Sequence, residues 1–203
     1  MTKPIDSYRK LPKQARSKAT VDAILEATSR ILQTDGGRAL TTDAVARLAG
    51  VSIGTLYQYF PDKNAILTTL ARQELAVTAK AVTAGLTTAA ETNAKTDPVR
   101  AGIRALLNGF KGRQRARKAL IEALIVNGLA DELTRPVDNV MRDILAAQAQ
   151  GPNAMKPVTA YVLTRAIIGT LRAALMEQST YLGKPEFEDE LVKLVHVLLL
   201  ASE

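Results

Sequence analysis

Between Leu40 and Lys63 the chain reads LTTDAVARLAGVSIGTLYQYFPDK, and this stretch constrains everything around it. Two short helical patterns meet there at a glycine-centred corner. Thr41 and Thr42 are suited to cap the first helix, with Asp43 in the turn where the positive helix end favours an acid. Val45, Leu48 and Ala49 give the apolar spacing of about two turns. Gly50 follows the last apolar pair, where a left-handed residue is least costly as glycine. Val51 re-enters the core, and Ser52 can cap a second helix carrying Thr55 to Tyr59. Phe60-Pro61-Asp62 ends that helix, because the residue before a proline avoids the α region.

Two helices joined by a short glycine-containing turn make a helix-turn-helix. Ala46 lies four residues before Gly50 and faces the crossing, where a larger side chain would wedge the helices apart. Val45, Val51, Leu56 and Tyr59 supply the apolar seam. Ser52, Ile53, Gly54, Thr55, Tyr57 and Gln58 are left around the outer face and the start of the second helix. They are small, hydroxylic and amide residues, suited to base edges and phosphates in a major groove. Asp62 can cap the next helix, and Lys63 falls in its first turn. A cation there is mildly unfavourable unless a phosphate meets it and the free N–H groups.

The run AGVSIGTLYQYFPDKNAIL closely resembles the DNA-binding signature of TetR-family repressors. With the preceding helix and LTTDAVARLAGV, the match covers roughly the first third of the chain. The resemblance implies a dimeric repressor on a near-palindromic operator of double-stranded DNA, released by a small-molecule effector. It implies phosphate contacts at Lys63 and at Arg16 or Lys18. On this reading Thr41, Thr42, Tyr57 and Tyr59 also lie at the DNA, Thr55 and Gln58 read bases, and Ile53 meets a thymine methyl. Ile53-Gly54 departs from the pattern, since it offers no polar side chain, and Asp43 lies close to where phosphate should pass.

Charge supports a polyanionic partner by its distribution more than its size. Of a net charge of +7 over 203 residues, residues 1–18 supply six cations against one acid. Residues 1–14 read as a basic arm, ordered on meeting phosphate. The absence of cysteine and tryptophan, and an aromatic content of 4%, favour helix and exclude disulfides and thiolate metal sites. His196 is the one histidine and cannot build a metal site alone. No P-loop, GxSxG, HExxH or dinucleotide fingerprint is present. Neither a catalytic group, a metal nor a cofactor is therefore expected. No segment reads as a leader or membrane span, which favours a cytoplasmic protein.

The chain as a whole reads as all-α, with about nine helices: a DNA-binding unit of three over residues 15–62, then a helical domain over 63–203 for effector binding and dimerisation. Val21, Ile24, Leu25, Thr28, Ile31 and Leu32 stripe the first helix. A long fourth helix is expected to end near Asn93, and Asp97-Pro98 to open the next. The basic run 111–118 is expected to be a solvated turn, followed by a helix over 119–133 with Gly128 inside it. The last two helices, 157–181 and 187–201, are apolar on more than one face and suit a two-fold four-helix bundle. Ile168, Leu171, Leu175, Leu191, Leu194, Val195 and Leu198 are the expected dimer contacts. The resemblance places an effector cavity among the middle helices, with Phe110, Met141, Tyr161 and Met176 as candidate lining for a mostly apolar molecule. The rival reading is an all-helical small-molecule binder or enzyme without DNA function.

Overall fold

A computed structural model describes residues 15–91, 97–110, 112–148 and 155–200. Among the described residues the secondary structure is entirely helical, with nine α-helices and two short 3₁₀ turns. The chain divides into two compact units. One runs to Glu74 and includes Arg113–Leu133; the other holds Leu75–Gly112 and the residues from Thr134. This division does not coincide with a boundary at residue 62. The helix that begins at Lys63 stays in the first unit through Glu74, and the chain returns to that unit at Arg113. The arm, residues 1–14, lies outside the described residues.

In the first unit, α1 (Ala15–Thr34) packs against α2 (Thr42–Ala49) and α6 (Gln114–Val126). Its expected stripe is buried throughout, including Thr28, whose hydroxyl donates to the Ile24 carbonyl at 2.8 Å. Gly50 adopts φ 69°, ψ 28°. Its N–H bonds the Arg47 carbonyl, and the Val51 N–H bonds the Ala46 carbonyl at 3.0 Å. This left-handed stop closes α2 and redirects the chain into α3 (Ile53–Tyr59). Leu56, Phe60, Ile66 and Leu67 seal α3 and the start of α4 (Lys63–Glu91) into the core. Leu48, expected in the stripe, is instead 44% exposed.

The basic run proves to be an anchor rather than a solvated turn. Lys111 lies outside the described residues, and Gln114 to Lys118 form the first turns of α6. Arg113 donates to the Ser29 hydroxyl at 3.4 Å and lies 3.8 Å from Glu26. The Ala116 N–H donates to the Gln33 side-chain oxygen at 2.8 Å, giving that helix start a partner. Arg117 is tucked inward against Glu74 at 3.5 Å. Burial pushes its guanidinium pKa down, and Glu74 opposes this. Gly128, at φ 71°, ends α6 rather than sitting inside it. A 3₁₀ turn, Ala130–Leu133, then carries the buried Glu132 into a two-point bond with Arg72, both contacts at 2.7 Å.

The second unit holds the later part of α4 with α5 (Pro98–Asn108), α7 (Arg135–Gln148), α8 (Pro157–Met176) and α9 (Pro185–Leu200). Asp97 caps α5 by accepting from the Val99 N–H, with Pro98 in the first turn. Where α4 meets α5, a Cβ on Gly85 would lie 3.0 Å from the Ala101 carbonyl oxygen, and one on Gly102 2.8 Å from Leu86. Two glycines thus permit backbone approach, which explains why the α4 pattern weakens at Gly85. The core joins Ile103 and Leu107 of α5, Leu163, Ile167 and Leu171 of α8, and Leu191, Val192 and Val195 of α9. Arg100 and Arg104 of α5 both grip Glu188 of α9. These guanidinium groups, Arg104 foremost, hold the Glu188 carboxyl below its usual range.

Helix α8 stops at Met176 rather than near Tyr181, because Gln178 turns into the left-handed region at φ 54°. By length and composition alone α8 could cross a membrane, and 33% of its most apolar window is buried. It carries Arg165, which forms a two-point bond with Asp138 of α7.

Candidate nucleic-acid interface

The candidate surface lies wholly within the first unit, on α2, α3 and the start of α4. Thr41 caps α2, its hydroxyl accepting from the Ala44 N–H at 3.1 Å. Thr42 therefore starts the helix, and its hydroxyl lies 3.2 Å from the Tyr57 hydroxyl. This bond ties α2 to α3 and puts both groups on one surface. Ser52 caps α3 by accepting from the Thr55 N–H at 3.0 Å, and the Ser52 and Thr55 hydroxyls bond at 2.8 Å. Asp62 accepts from the Ala65 N–H at 2.8 Å and sets the first turn of α4.

These local bonds fix which side chains face outward. Ser52, Ile53, Gly54, Tyr57 and Gln58 are exposed, while Thr55, Tyr59 and Lys63 are partly buried. Lys18 is exposed on α1; Arg16 lies in its first turn, with a side chain outside the described residues. Asp43 is exposed in the first turn of α2. Leu56, between these groups in sequence, has no exposure and anchors α3 from behind. Sequence reasoning missed Arg47 and Leu48, both exposed on the last turn of α2. Only the actual twist of α2 against α1 reveals them, because Leu48 falls three residues after the buried Val45.

The other expected sites belong to the second unit. Phe110 packs against the core of that unit, and Met141 and Met176 are partly buried. Tyr161 is not enclosed: it is 60% exposed, with the Arg165 guanidinium 4.6 Å above its ring. Among the expected dimer contacts, Leu171, Leu175, Leu191 and Val195 are consumed by the unit's own core, and Leu198 packs against it. Ile168 and Leu194 are partly buried. On α8 and α9 the large apolar residues left open are different ones: Val158, Tyr161 and Val162 on α8, and Val197 on α9. Gly169, Thr170 and Ala173 continue the exposed side of α8.

Residues 24–70 match the family model described as bacterial regulatory proteins, tetR family. No curated protein matches the chain by sequence. Among solved structures, a Mesorhizobium loti MAFF303099 protein described as a TetR-family transcriptional regulator superposes with a TM-score of 0.72. It is 15% identical, over 93% of this chain and 98% of that one. The fatty acid degradation regulator FadR from Bacillus halodurans gives 0.59, at 20% identity, over 94% and 96%. The flavonoid-responsive regulator FrrA gives 0.62, at 21% identity, over 91% and 97%. The sequence match falls on the helix-turn-helix itself, and the fold shared with these regulators extends over nearly the whole chain.

Proposed function

We propose that the chain is a cytoplasmic, homodimeric transcriptional repressor without catalytic activity. It binds a near-palindromic operator through α3 and is released by a small, mostly apolar effector. The observation that carries this reading is the outer surface of α3. Ile53, Gly54, Tyr57 and Gln58 stand exposed on a helix clamped from behind by Leu56 and from its start by Ser52. A helix packed merely as core has no use for such a face. Lys63, in the first turn of α4, and Lys18 and Arg16 of α1 supply phosphate contacts, with the arm over residues 1–14 adding charge.

Dimerisation rests on the uncovered side of α8. Val158, Val162, Gly169 and Ala173 recur at helical spacing on an exposed face. Such a stripe is best covered by its own copy, since a two-fold axis lets one patch serve both sides. The effector reading draws support from similar folds that respond to flavonoids or regulate fatty acid degradation. Helix α4 runs without a break from the DNA-binding unit into the other unit. A ligand favouring one setting of α4 shifts DNA affinity by its preference for that state.

Selection from a random duplex library tests the reading. Enriched duplexes should carry inverted half-sites. Lys63→Ala should weaken binding to every sequence and reduce the salt slope by about one unit. No enrichment, or an unchanged slope, contradicts it. Flavonoids and fatty acids added to the complex should include a molecule that releases the duplex.

A further inference from the structure

We propose that Ile53 reads thymine through its C5-methyl group, and that this apolar contact carries the larger share of α3's base discrimination. The inference rests on the DNA-binding reading above and specifies its chemistry. The α3 sequence, IGTLYQY, contains no charged residue. It therefore lacks the arginine or lysine that pairs with guanine and the carboxylate that pairs with cytosine. Two of its three hydroxyls already have a partner within the fold: Thr55 with Ser52, and Tyr57 with Thr42. Gln58 is left as the exposed amide. Beside that amide stands Ile53, 38% exposed and held at the start of α3 by the Ser52 cap.

Among the groups that base pairs present in the major groove, the thymine methyl is the apolar one. An exposed isoleucine on the reading face gains most by burying it. Gly54 supports the same conclusion. A Cβ built there meets nothing closer than the Ser52 hydroxyl at 3.8 Å. The fold leaves that space open, so the groove can close around Ile53 without a neighbouring side chain holding it off.

The test compares a library-selected duplex with the same duplex carrying deoxyuridine for every thymine, which removes only the methyl groups. Wild-type protein should bind the deoxyuridine duplex about four-fold more weakly per methyl read. Ile53→Ala should bind both duplexes nearly equally, and Ile53→Val should keep most of the preference. Gln58→Ala should weaken both while preserving their ratio. A wild type indifferent to the methyls, or an Ile53→Ala variant as sensitive as wild type, overturns the inference while leaving DNA binding standing. A library that yields no enriched duplex overturns the DNA reading, and this inference with it.

Discussion

Gly50 and Gly54 lie four residues apart and are predicted to behave oppositely on substitution. Gly50 holds a left-handed conformation with open space around it, so its cost to alanine is conformational. Gly50→Ala should destabilise the protein by about 1 kcal/mol in urea unfolding. Gly54 is helical and uncrowded. Gly54→Ala should leave stability unchanged or raise it by up to about 1 kcal/mol, yet weaken duplex binding, because the new methyl enters space reserved for the partner. Leu56→Ala, at a fully buried position, should cost about 3 kcal/mol. Both glycines are plain in the sequence, and the left-handed role of Gly50 is legible there from its place after an apolar pair. Whether Gly54 is crowded depends on neighbours that only the fold supplies.

Helix ends are local, and most were legible for that reason. Thr41, Ser52, Asp62 and Asp97 each accept a backbone N–H two or three residues on. The fate of the basic run was not legible, because Arg117 and Arg113 answer to Glu74 and Glu26, far away in sequence. The stop of α8 at Gln178 carries no glycine to announce it. Between α4 and the 3₁₀ turn after α6, Glu132→Ala removes the two-point bond to Arg72 and vacates a buried site. Because Arg72 is partly solvated, the loss should be about 2 kcal/mol, below that of a fully buried pair, measured by thermal or urea unfolding. Between α5 and α9, Glu188 is held below its ordinary pKa of 4.5 by Arg104 and Arg100. A depressed folded pKa adds stability above the unfolded value, and that contribution fades as pH falls through the folded one. Wild type should therefore melt above Glu188→Gln at neutral pH, and the gap should narrow on acidification below about 4.5.

At the scale of the whole molecule, sequence periodicity marks two helices as apolar on more than one face without saying which face meets the chain's own core. Leu171 and Val195 fill the unit's own core, and Val158, Val162 and Val197 remain open. Val162→Glu, at a residue 48% exposed, should yield a folded monomer by sedimentation, with duplex affinity greatly reduced because one half-site binds alone. The claim beneath all of this is that α3 is presented outward to a duplex groove by each of two copies. A photo-crosslinking amino acid placed at Gln58 tests it directly. The account predicts crosslinks to the selected duplex at two positions about one helical turn, or a multiple of it, apart. A crosslinker at Gln58 that never reaches DNA, while the same group on the exposed Val126 does, would contradict it.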